Sequence, residues 1–143
     1  MASPGPARLS EPVRAFLASS LVPGVLATVG RSGGPVTSAV WYGLEGDTVL
    51  VSTPADGTKA ANVRRDARVS FIVDAKDRPY RGVAIEGHAE AVDDLDLARW
   101  RAIARRYVGD DLSPEMRQRV ESRPRAIILI VPRRIRTWNL AEA

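Results

Sequence analysis

Apolar and polar positions alternate with a period of two through most of this chain, the signature of strands with one face on a core. Gly24 to Val29 is a β-branched and apolar run, and Arg31 to Pro35 (RSGGP) is a Gly/Pro turn. The chain continues as VTSAVWYGL from Val36 to Leu44, which predicts a hairpin with the first run. Thr37, Ala39 and Trp41 fall on one face of that strand, and Ser38, Val40 and Tyr42 on the other. Glu45 to Asp47 form the next turn, and Thr48 to Thr53 predicts a third strand that Pro54 ends. Arg68 to Asp74 predicts a fourth. Tyr80 to Val92 predicts a long fifth strand with Val83, Ile85, Ala89 and Ala91 on one side and Glu86, His88 and Glu90 on the other. Gly87 marks a bulge or bend within it. Ala126 to Val131 is an apolar strand suited to burial on both faces, extended by Arg134 to Trp138 beyond a break at Pro132.

Four segments depart from this period. Ser10 caps a short helix with Pro12 in its first turn and Val13, Phe16 and Leu17 on one face. A second starts at Gly57 or Thr58 and carries Lys59, Ala60, Val63 and Arg64. Asp94 to Tyr107 places Leu95, Leu97, Trp100, Ile103 and Ala104 on a helix face with Asp93 or Asp94 as cap, and Pro114 to Glu121 predicts a fourth helix. About six closely spaced antiparallel strands with a few helices imply a mainly β fold closed into a small barrel. Residues 1–10 are expected to be a flexible tail and residues 11–143 one domain.

Composition narrows the chemistry. There are no cysteines, which removes disulfides, thiolate catalysis and cysteine-bound zinc or iron–sulfur centres. The single histidine, His88, stands among carboxylates on a polar strand face, where pairing or solvation accounts for it; no metal site is expected. The net charge of +4 would suit an anionic partner, but the basic residues are scattered, so nucleic-acid binding is not expected. Of the 21 basic residues 19 are Arg, the coding bias of a GC-rich genome and a pointer to an actinobacterial source. The longest apolar run is far shorter than a membrane span, and the first residues lack the apolar stretch of a secretory signal, so the expected location is the cytoplasm.

The segment VLVSTPADGTKAANVRRDARVSFIV, from Val49 to Val73, reads as strand, loop, helix and strand with Lys59 at the helix start. A helix start offers unpaired N–H groups and the positive end of the dipole, and Lys59 adds a compact charge, which together suit a phosphate. No acid, base and nucleophile occur in a recognisable arrangement, so no catalytic residue is assigned. Arg99, Arg101, Arg105 and Arg106 fall on the solvent side of the third helix, with Arg105 and Arg106 the members that could reach an acidic ligand tail.

LATVGRSGGPVTSAVWY, the Val49 to Asp74 segment, DRPYRGVAIEGHAEAV and RTWNL occur in this order over most of Val25 to Leu140. In that order and spacing the chain resembles the flavin and deazaflavin oxidoreductases that include pyridoxamine 5'-phosphate oxidase, and the deazaflavin-dependent branch in particular. The resemblance implies an FMN-binding split β-barrel and a homodimer whose two cofactor sites each draw residues from both chains. It implies that Lys59 binds the cofactor phosphate, that Ser38, Val40, Ser52, Thr53 and Thr58 offer backbone and hydroxyl groups to the cofactor, and that Tyr80, Arg81 and Gly82 pass near it. Trp41 and Trp138 either border the ring or pack, with packing first for Trp41.

Ser38 and Thr58 stand where the oxidases have arginines around the flavin phosphate, and RRIRTWNL lacks their substrate-binding arginine and histidine. Coenzyme F420 is therefore the expected cofactor, with FMN as the alternative. The implied activity is hydride transfer between the deazaflavin and a planar conjugated small molecule such as an enone, quinone or tetrapyrrole. The alternatives are an FMN-binding protein like pyridoxamine 5'-phosphate oxidase, or a non-catalytic module that binds flavin, haem or deazaflavin.

Overall fold

Strands β1 (Gly24–Val29), β2 (Pro35–Val40), β3 (Gly43–Glu45), β4 (Thr48–Pro54), β5 (Arg68–Asp74), β6 (Gly82–Asp93) and β7 (Arg125–Trp138) form one antiparallel sheet in the order β2-β1-β5-β6-β7-β4-β3. Its two edge strands, β2 and β3, are consecutive in sequence and joined only by Trp41 and Tyr42. Two residues reach roughly 10 Å at most, so the sheet must roll up until its edges nearly meet. The result is the expected split barrel. This is a computed structural model of the chain, describing residues 5–140.

The Val36 to Leu44 strand of the sequence reading is thus two strands on opposite edges. The alternation of faces continues across the break, with Val40 and Tyr42 buried and Thr37 and Ala39 exposed, while the chain crosses from one edge to the other. The inner face holds the main core, including Leu26, Val49, Val51, Phe71, Val73, Val83, Ile85, Ile128 and Ile130. The bulge expected at Gly87 is present: Glu86 pairs with Arg134 and Gly87 with Pro132, leaving Arg133 as the extra residue. A Cβ on Gly87 would lie 2.4 Å from the Val131 carbonyl oxygen, so only glycine fits this approach of β7.

Helix α1 (Glu11–Ser19) is capped by Ser10, whose hydroxyl accepts from the Val13 N–H, and buries Val13 and Leu17. Leu9 is buried and its N–H donates to Asp47 Oδ1 at 3.0 Å, while the Ala7 N–H donates to the Pro132 carbonyl at 2.8 Å. Packing therefore begins ahead of the boundary drawn at residue 11; residues 1–4 of the expected tail and residues 141–143 of the domain lie outside the described residues. Helix α2 (Thr58–Arg65) packs against β1, β4, β6 and β7. Its Asn62 is buried and donates to Thr28 Oγ1 at 3.0 Å.

Helix α3 (Ala98–Val108) begins later than the periodicity predicts, because Leu97 adopts a left-handed conformation at φ 60 and Asp94 reaches forward to cap it. Buried Asp94 accepts from the N–H groups of Arg99 and Trp100 at 3.4 and 3.0 Å. Leu95, expected on the apolar face, is instead 92% exposed. Helix α3 covers the outer face of the sheet through Ile103 against Leu50 and Ile127. Helix α4 (Pro114–Glu121) closes a satellite cluster of Trp100, Ala104 and Val120.

Candidate functional site

The turn from β4 into α2 is built by the first residues of β7 and the two before it. Arg123 holds Asp56 at 2.7 Å, the Pro124 carbonyl accepts from the Ala55 N–H at 2.8 Å, and Arg125 Nη2 donates to Ser52 Oγ at 3.0 Å. From the other side Arg64 Nη1 donates to the Ala55 carbonyl at 2.7 Å. The turn is therefore held by four contacts, at Ser52, Asp56 and both backbone groups of Ala55, before it delivers Gly57, the cap of α2.

The start of α2 differs from the other helix starts. Ser10, Asp94 and Ser113 supply side-chain acceptors to α1, α3 and α4, whereas α2 has Gly57 at its cap, no side-chain cap bond and no acidic residue in its first turn. A helix's first amide protons, left without an acceptor, are an anion site. Thr58 is exposed there and Lys59 half-buried. The residues present fit a phosphate, which would supply the acceptor oxygens and neutralise Lys59.

Ser52 and Thr53 lie on opposite faces of β4. Thr53 is buried on the inner face; Ser52 points outward beside Arg125. The Nε of Arg125 is buried with no hydrogen-bond partner among the described residues. Loss of hydration, and then the nearby charge of Arg123, push the Arg125 guanidinium down from its usual range. Sequence reasoning missed this residue, since it stands directly before the apolar run of β7 and looks like a strand boundary. Its signal is the packing of Arg123, Pro124 and Arg125 against Ser52 to Asp56, a contact between segments far apart in the chain.

Ser38 and Val40 share the inward face of β2. Ser38 pairs with Leu26, two positions along β1 from the Thr28 that Asn62 of α2 engages, so it stands one strand away from the α2 contact. Val40 is buried in the main core, leaving its backbone as the part that a ligand could use.

Tyr80, Arg81 and Gly82 lie elsewhere. Tyr80 is 53% exposed, with the Arg78 guanidinium 5.9 Å from its ring centre. Asn139, at φ 54, donates from Nδ2 to the Tyr80 carbonyl at 2.7 Å. The indole of Trp138 lies across Gly82, where a Cβ would come within 2.2 Å of the ring. Gly82 pairs with Trp138 at one end of the β6–β7 ribbon, whereas Ser52 pairs with Ile127, itself paired with Val92, at the other. At ~3.3 Å per residue roughly 30 Å of strand separates them. The β4–α2 connection carries Ser52, Thr53, Thr58 and Lys59 within eight residues, Ser38 stands one strand away from the α2 contact, and Tyr80 to Gly82 lie at the far end of the β6–β7 ribbon.

Trp41 stacks on Tyr107, ring centres 4.9 Å apart and planes within 4°. His88 is half-buried, opposite Arg68 and Val131, in an outer groove of about 340 Å³ with Glu86 and Arg134. Among the described residues no group of three or more His, Asp or Glu side chains could hold a metal ion. Arg99 pairs with Glu45 at 2.8 Å and Arg101 donates to the Asp96 carbonyl, both at the surface. Arg106 is the correction to the solvent-side reading: it turns inward and donates to the carbonyls of Tyr42, Leu17, Ala18 and Ser20.

No helix among the described residues is long and apolar enough to cross a membrane. No curated protein matches the sequence. Among solved structures, the chain is similar to a conserved hypothetical protein from Mycobacterium tuberculosis, with 33% identity over 96% of this chain and 89% of that one, at a TM-score of 0.75. It is similar to an F420 reductase, with 26% identity over 85% and 94% of the two chains and a TM-score of 0.71. A heme binding protein from Mycobacterium smegmatis shares 26% identity over 92% of this chain and 55% of that one, at a TM-score of 0.62. The family model described as pyridoxamine 5'-phosphate oxidase matches residues 9–139. With the split barrel, that match over nearly the whole chain places it in the pyridoxamine 5'-phosphate oxidase family of flavin- and deazaflavin-binding proteins.

Proposed function

We propose that this protein is a coenzyme F420-dependent oxidoreductase acting on a planar conjugated small molecule, and that it works as a cytoplasmic homodimer. The observation that carries the reading is the start of α2, where amide protons without a side-chain acceptor adjoin half-buried Lys59 on a turn braced from β7. The likeness to an F420 reductase supports the choice of deazaflavin over FMN.

In this reading Lys59, Thr58 and the α2 amides hold the phosphate, and Ser38, Ser52 and the backbones of Val40 and Thr53 border the ring system. When bound, the deazaflavin supplies the hydride chemistry, so the chain needs no nucleophile or base of its own. The chain's residues orient the substrate, exclude water and place N–H and hydroxyl donors where negative charge develops. The separation of Tyr80, Arg81 and Gly82 from Lys59 supports a second copy as their source, each site taking Lys59 from one protomer and Tyr80 to Gly82 from its partner.

A non-catalytic module is the second reading, favoured by the likeness to a heme binding protein. Parallel titration with oxidised F420, FMN and haem, followed by single-turnover assays of reduced F420 against enones and quinones, separates the two. Selective F420 binding with oxidation by an acceptor supports the reductase. Tight haem or FMN binding without turnover supports the module.

A further inference from the structure

We infer that Arg125 is a positioning residue which fixes Ser52 as a hydrogen-bond donor, so that the ligand presents an acceptor atom at that point of the site. The inference deepens the cofactor reading above and rests on it. A serine hydroxyl has one proton to give and two lone pairs to accept with. At Ser52 one lone pair is taken by Arg125 Nη2 at 3.0 Å. The hydroxyl proton is thereby turned away from the guanidinium, and a cationic donor bound to the oxygen polarises the O–H further. Among the described residues no acceptor takes that proton. A carbonyl, a ring nitrogen or a phosphate oxygen fits there as the acceptor of that proton.

The geometry is fixed from three sides. Pro54, two residues beyond Ser52, pairs with Arg125, so the side chains of Ser52 and Arg125 meet diagonally on the outer face. Arg123 and the Pro124 carbonyl hold Asp56 and Ala55, which stops the turn from carrying Ser52 away. Asp56, the carboxylate of the turn, takes both Arg123 bonds on Oδ1 and accepts no hydrogen bond from Ser52. Arg125 cannot swing freely to the ligand itself, because its Nε is enclosed; it acts through Ser52.

The test measures dissociation constants for oxidised F420 and for FMN with wild type, Ser52→Ala, Ser52→Thr, Arg125→Met, Arg125→Lys and the Ser52→Ala/Arg125→Met double variant. Ser52→Ala and Arg125→Met are each expected to weaken binding about tenfold. The double variant should be no weaker than Ser52→Ala, while Ser52→Thr, which keeps the hydroxyl, and Arg125→Lys, which keeps a cationic donor, should recover most of the affinity. A purely structural role for Arg125 would give effects that add in full and a variant that Lys does not rescue, which overturns the inference. The same follows if wild type binds coenzyme and Ser52→Ala binds it equally well, a comparison that stands even if Arg125→Met fails to fold. A wild-type protein that binds neither coenzyme removes the cofactor reading, and this inference with it.

Discussion

The guanidinium of Arg106 lies 4.7 Å from the centre of the Tyr42 ring, and both side chains end on the carbonyl of Leu17, with Tyr42 Oη donating at 2.7 Å and Arg106 Nη2 at 3.1 Å. Helix α1 has no basic residue in its last turn. Arg106 and Tyr42 together satisfy its orphan carbonyls and tie it to α3 and to the crossing between the two sheet edges.

Arg106→Ala is therefore expected to lower stability by about 2–4 kcal/mol, since several charge-assisted bonds and a stacked cation go together. Arg106→Lys should recover little, because one ammonium cannot serve the same fork of carbonyls. Arg105→Ala, by contrast, removes an exposed contact to Asp110 at 3.5 Å and should change stability by no more than about 0.5 kcal/mol. Equilibrium urea denaturation of the three variants checks the contrast.

Stability should fall at both ends of the pH range. Burial raises the Tyr42 hydroxyl above its usual value, against the partly opposing Arg106 hydrogen bond, and Tyr107 is raised by burial too. The fold favours their neutral forms, so this contribution is complete below about pH 10 and is lost as pH rises through the raised values. At the acid end the Arg68 side chain bonded to Asp66 lowers its carboxyl to about 2, and Glu45, Asp47 and Asp56 are also lowered. That contribution is present above about pH 4 and is lost as pH falls toward 2. Denaturation midpoints measured from pH 2 to 11 should form a plateau with two falling edges. Asp66→Asn should soften the acid edge.

Gly82→Ala places a methyl carbon 2.2 Å from an atom of the Trp138 indole. The strand end must shift or the ring must leave, at a cost of about 1–3 kcal/mol. Trp138→Leu in the same chain should restore part of the loss by opening the space. Melting temperatures of the two single variants and the double variant measure the coupling.

If one site takes Lys59 from one protomer and Arg81 from its partner, two inactive variants complement one another. Lys59→Ala and Arg81→Ala should each bind coenzyme weakly alone. After unfolding and refolding together in equal amounts, half of the dimers are mixed and each carries one intact site, so about a quarter of the wild-type sites return. Stoichiometry by fluorescence titration gives the count. Recovery of none would place both residues in one chain's site.

Local pattern made most of the barrel legible. The hairpin of β1 and β2, the ends of β4, the bulge at Gly87 and the limits of α4 follow from alternation, turn residues and capping, all of which act within a few positions. The break at Trp41 and Tyr42 was hidden because side chains keep alternating while the chain changes edges, and only the pairing of β3 with β4 reveals the crossing. Arg106 and Arg125 escaped for a related reason. Each looks like a surface or boundary arginine among many, and their partners, Leu17, Tyr42 and Ser52, stand far away in sequence. The position of Lys59 at a helix start was legible because that setting is local: a helix beginning at Gly57 or Thr58 soon after Pro54 ends the strand.

Lys59 is the residue on which phosphate binding at the start of α2 depends most directly in the proposed reading. Titrating wild type and Lys59→Ala with oxidised F420 and with FMN, followed by fluorescence, should show selective F420 binding by wild type. Lys59→Ala should weaken it by about tenfold or more, as loss of a charge-assisted phosphate contact does, with an unchanged melting temperature for the free protein. Equal affinity in wild type and Lys59→Ala would contradict the placement of the phosphate at α2, and FMN-selective binding would contradict the choice of deazaflavin.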